Sequence, residues 1–467
     1  MVIFGLLYCN TRPEYFTSFL GLVRLILNRA VISVAPIMID KKASGRIRGS
    51  AASTVSTPGI TKLRRLALAS QGLTLTRPFG SGPKAVAHAI DRLGYIQIDT
   101  ISVVERAHHH VLWTRIPDYK PSRLAELVEH KAVFEYWFHA AAYLPIQHYR
   151  FALPRMRAIK NGKKHWFANT DRKLMRAVYR RIEVEGALMA RDFQDAQKRK
   201  GGWWEWKPAK QALEQLFMEG DLMVVGRQGF QKRYDIAERV LPSGLDTSFP
   251  TLTEYAQHLI DVTLRAHGFA HARSFAYLRK GSHLRREIKS CLQNGIDEGE
   301  LTIVALPAGE QVYIKPVALD QTVRTDRKVR LLSPFDNCVI QRERCRSVFD
   351  FAFQIECYVP AGKREYGYFC LPILFIDKFY GRVDCKADRK NRVLKVLSLH
   401  LEIDQNQVDK CKKKTKLTPA DLPDDFLEEL SAALRRFMVF NQCESVLLEK
   451  VYPVKMRKPL QMMLIDR

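Results

Sequence analysis

This sequence of 467 residues lacks the common motifs of cofactor and metal binding. It contains no Gly-rich phosphate-binding loop followed by lysine, no dinucleotide-binding glycine pattern and no cysteine spacing typical of zinc. The nine cysteines form no C-x-x-C pair, and most lie in strand-like segments, where a buried thiol packs as a small apolar side chain. We therefore expect a reduced, cytoplasmic protein that uses no cofactor and no metal.

Acidic residues are few compared with basic ones. Lys and Arg number 75 against 49 Asp and Glu, which leaves a formal charge of +26 and predicts a polyanionic partner, with nucleic acid the leading candidate. The basic residues are spread along the chain, whereas a membrane-surface protein would concentrate them on one amphipathic helix. Arg24 and Arg29 interrupt the apolar run at 16–39, which argues against a membrane span.

The length predicts several domains, and the residue pattern divides the chain into five segments. The first is interpreted as a poorly ordered extension, although its few acids and its Arg and Ser content also fit a transit peptide. The third and fourth each read as helices followed by a hairpin, the order of a winged helix. The last is rich in strands and closes with a helix. The segments are 1–60, 61–165, 166–248, 249–322 and 323–467.

The run from Gly94 to Ile101, GYIQIDTI, places Gln97 and Asp99 two residues apart. In an extended segment that spacing points both side chains to the same face. An amide beside a carboxylate can orient and activate a water molecule. Two alternatives stay open: a solvated strand face, or an acid that satisfies free amides at the start of the helix predicted from Ser102.

Several other groups are candidates for DNA contact, each with a structural alternative. Three tryptophans precede two lysines at a predicted helix start, where aromatics could stack on bases or pin two domains together. A hairpin predicted at 354–371 has a basic tip that suits the minor groove, or else is a solvent turn. The candidates are Arg106, Trp203, Trp204, Trp206, Lys207, Lys210, Arg227, Arg233, Lys363, Arg364 and Tyr366.

Histidines and one glutamate raise the question of further site residues. His108, His109 and His110 are adjacent on a predicted helix and point in different directions, so packing and hydrogen bonding are expected in place of metal binding. Glu135 and His139 lie in the aromatic run VFEYWFHAAAYLP, where they could support an active site or simply be core residues with satisfied hydrogen bonds.

Six blocks of the sequence resemble, in order, the YcaQ/AlkZ family of winged-helix DNA glycosylases. The similarity runs from about Thr61 to His400, and it leaves out the first 60 residues and the insertion KCKKKTKLTPADLPDD. The resemblance implies an α+β fold of three tandem winged helices followed by a C-terminal β-rich domain. The blocks are GYIQIDTI, VVERAHHHVLWTR, FEYWFHAAAYLP, GGWWEWKPAK-ALEQLF, LLSPFDNCVI and CYVPAGKREYGYFCLPIL.

The same resemblance implies hydrolysis of the N-glycosidic bond of N7-alkylated purines, including interstrand crosslinks, in double-stranded DNA. The family motif is Gln, an apolar residue, then Asp or Gln, and Gln97-Ile98-Asp99 matches the YcaQ-like branch. Asp99 would stabilise a sugar cation and activate water, and Gln97 would orient that water or the sugar. Glu135 and His139 match a block expected near this pair.

Two hypotheses of other classes compete with a monofunctional glycosylase. Winged helices serve transcription more often than catalysis, so a noncatalytic DNA-binding regulator is the alternative function. A structural scaffold that binds RNA or chromatin is the third. For the glycosylase we expect a monomer associated with the nucleoid, without protein partners that the sequence identifies.

Overall fold

The computed structural model describes five stretches of the chain, all within the unit Ser56–Arg467. Trp203, Trp204, Trp206, Lys207 and nearly all of the predicted extension lie outside the described residues. Within the described stretches, no helix is both long and apolar enough to cross a lipid bilayer. The described stretches are 58–163, 171–193, 208–307, 309–402 and 422–465.

Four helices form the first part of the fold, and their ends follow from the sequence. The second helix has Pro83 in its first turn, where a missing amide hydrogen costs nothing, and it ends at Gly94 in a left-handed conformation with φ 77°. Its residues Ala85, Ala89 and Leu93 repeat every four positions and are buried. The helices are α1 (Ile60–Ser70), α2 (Gly82–Leu93), α3 (Ala107–Trp113) and α4 (Pro121–Glu129).

Three small antiparallel sheets follow one another along the chain. In each, a short first strand pairs with the third strand, which pairs with the second, giving the orders β1-β3-β2, β4-β6-β5 and β7-β9-β8. The strands are β1 (Ile96–Gln97), β2 (Val133–Trp137), β3 (Ala141–Pro145), β4 (Leu188–Met189), β5 (Leu222–Gln228), β6 (Gln231–Ile236), β7 (Phe269–Ala270), β8 (Thr302–Ala305) and β9 (Gln311–Ile314). The hairpins predicted around Gly229 and Gly309 are confirmed.

Helices separate these sheets and pack against them. The repeated strand order agrees with tandem winged helices, whose number and boundaries stay predictions. Helix α9 begins at a capping box in which Thr251 and Glu254 satisfy each other's amides. These helices are α5 (Leu153–Lys160), α6 (Arg172–Glu185), α7 (Pro208–Glu219), α8 (Ala237–Val240), α9 (Leu252–His267), α10 (Ala272–Phe275), α11 (Ser282–Asp297), α12 (Pro316–Leu319) and α13 (Arg342–Phe349).

The C-terminal part contains a six-stranded sheet covered by a helix. Phe426, Leu430, Leu434 and Phe437 line one face of that helix and are fully buried in the same core as the sheet. The helix predicted near the end of the last segment is present, but it does not close the chain, because two strands and a further helix follow it. The elements are β10 (Val329–Leu331), β11 (Cys370–Phe375), β12 (Lys378–Asp388), β13 (Val393–Leu401), α14 (Phe426–Phe440), β14 (Ser445–Leu448), β15 (Val451–Tyr452) and α15 (Arg457–Ile465).

The hairpin predicted at 354–371 is wrong. Residues 351–369, all of which are described, form an irregular loop with one 3₁₀ turn at Ala361–Lys363. The Glu356 carboxylate accepts the amide hydrogens of residues 365, 366 and 367 at 2.8–3.0 Å. The Asp384 carboxylate accepts those of residues 368 and 369 at 2.7 and 3.2 Å. Since side chains bind five consecutive amides, these amides are not available for a strand ladder.

Candidate functional site

Gln97 and Asp99 share one face of the extended segment, as their spacing predicts. Strand β1 pairs with β3, and the amide of Ile98 continues the ladder by donating to the Ala141 carbonyl at 2.8 Å. Ile96 and Ile98 alternate to the opposite face and pack in an apolar core. Gln97 and Asp99 are each only 7% exposed, so neither lies on a solvated strand face.

His139 holds the side chain of Gln97. Its Nε2 lies 3.0 Å from Oε1 of Gln97. Burial, helped by the charge of Arg279, lowers the pKa of His139 to about 3, so the imidazole is neutral at pH 7. Because an amide oxygen only accepts, we assign the imidazole hydrogen to Nε2. No described residue accepts from the amide nitrogen of Gln97, which is therefore directed away from His139 as a donor.

The carboxylate of Asp99 is anchored through one oxygen. Its Oδ1 accepts the amide hydrogen of Ile101 at 2.7 Å, and no described residue donates to Oδ2. Burial raises the pKa of Asp99 to about 6, although the Ile101 amide and the charge of Arg106 act in the opposite direction. Asp99 thus satisfies a turn amide and also keeps a free oxygen. The group is mostly ionised at pH 7 and is more basic than an ordinary aspartate.

Residues of the C-terminal part of the chain fix the loop that follows Asp99. The amide of Ala387 on β12 donates to the Val103 carbonyl at 2.7 Å. The side-chain oxygen of Asn441, just after α14, accepts the amide hydrogen of Glu105 at 2.7 Å. The helix predicted from Ser102 therefore begins only at Ala107, because contacts with residues far along the chain hold the preceding backbone in a bend.

The irregular loop 351–369 forms one wall beside Asp99. Burial, the neighbouring Cys357 thiol and the Asp99 carboxylate raise the pKa of Tyr358. The pKa of Tyr368 is raised by burial first, with Asp99 among the further causes. The guanidinium of Arg364 lies 4.9 Å from the centre of the Tyr368 ring. Sequence analysis missed Tyr358, although it lies in the block CYVPAGKREYGYFCLPIL.

Position 367 of this loop has room only for glycine. Its φ is +150°, and a Cβ added there would collide with the carboxylate of Asp384. Glycine therefore lets Asp384 reach the amides that follow.

The turn between α10 and α11 forms a second wall, beside His139. The Tyr277 ring lies edge-on to His139 with a centroid distance of 5.4 Å. The guanidinium of Arg279 lies 4.3 Å from the centre of the Phe138 ring, which stacks on Tyr95 at 4.4 Å. The sequence offers no local signal for this contact, because Tyr277 and His139 belong to segments more than a hundred residues apart.

Residues of the block LLSPFDNCVI bind the backbone next to the site. Asn337 donates from Nδ2 to the Tyr95 carbonyl at 3.0 Å, directly before β1. Asp336 forms a bidentate ion pair with Arg115 at 2.7 and 2.9 Å, and both side chains are fully buried. The Asn337 bond thus holds the backbone that leads into the strand carrying Gln97.

Glu135 lies on the other face of the sheet from Gln97. It is paired across the strands with Tyr143, which is paired with Ile96. Its carboxylate binds the guanidinium of Arg227 at 2.8 and 3.0 Å. The structure therefore does not bring Glu135 to Gln97, and Arg227 is occupied by an ion pair.

Arg106 lies closer to the predicted pair. Its guanidinium stacks over Phe230 at 4.3 Å, and its charge acts on Asp99. The neighbouring histidines do what the sequence predicts: His109 bonds the Tyr119 hydroxyl at 2.7 Å and His110 the Leu331 carbonyl at 2.8 Å.

The remaining predicted DNA contacts are dispersed. Lys363 is exposed, whereas Arg364 donates to the Val359 carbonyl at 2.8 Å. The guanidinium of Arg382 covers the ring of Tyr366 at 4.0 Å. Arg233 donates to the Ala187 carbonyl at 3.3 Å, and Lys210 is half-buried at the start of α7. Among these, Lys363 and Arg233 are exposed to solvent and accessible to a phosphate.

The arrangement can position a water molecule. It combines a buried ionised carboxylate, an oriented amide and aromatic walls, and the described residues contain no group of His, Cys, Asp and Glu able to hold a metal ion.

The chain is similar to a protein family and to a solved structure. The family model described as "DNA glycosylase AlkZ-like" matches residues 90–438. The solved structure of Streptomyces sahachiroi DNA glycosylase AlkZ is similar to this chain, with a TM-score of 0.54 and 14% identity. The match covers 85% of this chain and 100% of that chain, and at this identity the likeness is one of fold. The resemblance noted in the sequence is thus confirmed.

Proposed function

The chain belongs to the AlkZ-like family of DNA glycosylases, and we propose that it hydrolyses the glycosidic bond of N7-alkylated purines, including interstrand crosslinks, in double-stranded DNA. We further propose that it is monofunctional, so that water and not a lysine attacks the sugar. Gln97-Ile98-Asp99 supports assignment to the YcaQ-like branch.

The chemistry of the substrate suits this site. A purine alkylated at N7 carries a positive charge, so it leaves readily and needs little help from a general acid. What the enzyme must add is stabilisation of the sugar cation and delivery of water. Asp99 supplies both, because an ionised carboxylate attracts the cation and accepts a proton from the attacking water.

Gln97 and His139 complete the mechanism. His139 binds the amide oxygen of Gln97, so the amide nitrogen is left to donate to the water or to the deoxyribose oxygen. The observation that carries the proposal is this pair on one strand face: an amide oriented by a neutral histidine, and a carboxylate with one oxygen bound and the other free. A positioned base contributes about 10²–10⁴-fold.

DNA binding follows from the charge of the chain. The excess of 26 positive charges favours a duplex, and Arg106, whose charge acts on Asp99, and the exposed Lys363 are the proposed phosphate contacts. We propose three winged helices, at 61–165, 166–248 and 249–322, followed by a C-terminal domain, as the frame that grips the duplex. A monomer bound to the nucleoid fits this arrangement.

The test is direct release of the damaged base. Purified protein is incubated with N7-methylated duplex DNA, and 7-methylguanine and alkali-labile abasic sites are measured; a duplex with one N7-linked crosslink is the second substrate. Asp99→Asn should bind normally and release base more slowly by orders of magnitude, whereas Asp297→Asn, on the exposed end of α11, should match the wild type. Tight binding without any release would favour the noncatalytic regulator instead.

A further inference from the structure

Leu278 has an unusual combination of exposure and backbone conformation. It is 67% exposed, and its φ is +55°, a left-handed conformation that brings Cβ close to the backbone and is unfavourable for leucine. A single exposed leucine is ordinary on a protein surface. A strained backbone conformation costs free energy and occurs mainly at functional sites. An exposed leucine held in such a conformation is therefore a candidate functional residue.

The residues on either side of Leu278 hold the turn rigidly. The Tyr277 hydroxyl donates to the Ile340 carbonyl at 3.2 Å. The Arg279 guanidinium donates to the Tyr255 hydroxyl at 3.2 Å and to the Tyr277 carbonyl at 3.3 Å. The last bond joins the residues before and after Leu278, so these two neighbours fix the outward direction of the leucine side chain.

The same neighbours are walls of the candidate active site. Tyr277 packs edge-on against His139, the residue that orients Gln97, and Arg279 stacks over Phe138. Leu278 is thus the exposed apolar tip between two side chains that contact the catalytic strand region.

The surroundings of this tip are cationic. Lys280 follows in the chain, and Arg285, Arg286 and Lys289 on α11 are exposed. Such a surface attracts the phosphates of a duplex. The apolar leucine side chain, in contrast, makes no favourable contact with the charged sugar–phosphate backbone of DNA. Its complement in DNA is the apolar face of a base, reached by opening a base step.

We propose that Leu278 is a wedge that enters the duplex beside the damaged purine and partly unstacks it, so that the glycosidic bond reaches Gln97 and Asp99. This inference rests on the proposed function. The turn is preformed, so the wedge enters without an ordering cost. Unstacking and unpairing cost less free energy for a damaged base than for an intact one, so a lesion is a favoured place to open the duplex.

The test measures unstacking separately from chemistry. A duplex carries 2-aminopurine next to an N7-methylguanine, and the Asp99→Asn background prevents base release during the measurement. Binding of this protein should raise 2-aminopurine fluorescence, and adding Leu278→Ala should abolish the rise. Leu278→Met, which keeps an apolar tip, should retain most of it, and Leu447→Ala, an exposed leucine on β14, should retain all of it.

Activity gives the second measurement, with Asp99 intact. Leu278→Ala should lower base release by about tenfold, the effect of losing one buried apolar side chain, while the circular dichroism spectrum stays unchanged. Equal fluorescence and equal release in Leu278→Ala and wild type would overturn the wedge. Failure of the wild type itself to release methylated base would overturn the proposed function, whatever the fluorescence shows.

Discussion

Replacing Asp99 by asparagine should make the protein more stable at neutral pH while it removes base release. Burial raises the pKa of Asp99 from 3.8 to about 6, which means that the folded state disfavours the ionised carboxylate. Asparagine is nearly the same size and can still accept the Ile101 amide hydrogen. The variant therefore keeps the local structure and loses only the charge.

The magnitude follows from the shift. About two pKa units at about 1.4 kcal/mol each correspond to roughly 3 kcal/mol of destabilisation by the ionised group. This cost is fully present above about pH 6, where folded and unfolded chains are both ionised. It disappears as the pH falls through about 6 towards 3.8, because the folded state then takes up a proton before the unfolded state does.

Urea unfolding of wild type and variant at several pH values measures this effect. The advantage of Asp99→Asn should be largest near pH 8 and should vanish near pH 4. Asp388→Asn is the control of opposite sign, because hydrogen bonds from Asn391 and Lys395 lower the pKa of Asp388 to about 2. In the wild type, base release should rise with pH with a midpoint near 6. A flat profile between pH 5 and 7, or no gain in stability near pH 8, would refute a buried catalytic carboxylate.

Three further changes test the supporting contacts. His139→Phe keeps a ring but removes the donor to Gln97, so base release should fall about tenfold or more with DNA affinity unchanged; an unaltered turnover would remove His139 from the mechanism. Glu356→Gln should cost about 1–3 kcal/mol in urea unfolding and should accelerate hydrogen exchange at residues 365–367; unchanged exchange there would show that the Asp384 contacts alone hold the loop. Asp336→Asn leaves Arg115 as a buried unpaired cation and should cost about 3–5 kcal/mol, and replacing both residues by apolar ones should recover most of the loss.

Sequence analysis predicted those features of the site that depend only on neighbouring residues. Alternation along five residues predicts that Gln97 and Asp99 share a face, and the apolar isoleucines between and before them confirm it. The choice between a catalytic and a capping carboxylate was not accessible, and the structure shows that Asp99 contacts an amide with one oxygen only. The burial that shifts its pKa depends on residues from distant segments.

The loop at 351–369 shows where local patterns fail. Its residues predict two strands around a turn, yet Glu356 and Asp384 bind five successive amides and keep the chain irregular. Asp384 lies on β12, beyond the segment that the pattern covered. A side chain that arrives from another strand competes with strand pairing, and no local periodicity reports it.

Local sequence was enough to predict the family, the periodic elements and the pair Gln97 and Asp99, because each depends on neighbouring residues and on short-range backbone geometry. Packing between distant segments was needed to show that His139 bonds Gln97, that Glu135 instead binds Arg227, and that Leu278 projects beside the site. These contacts join segments far apart in the chain. Their partners are chosen by how whole helices and sheets pack, and packing depends on the complete set of buried side chains.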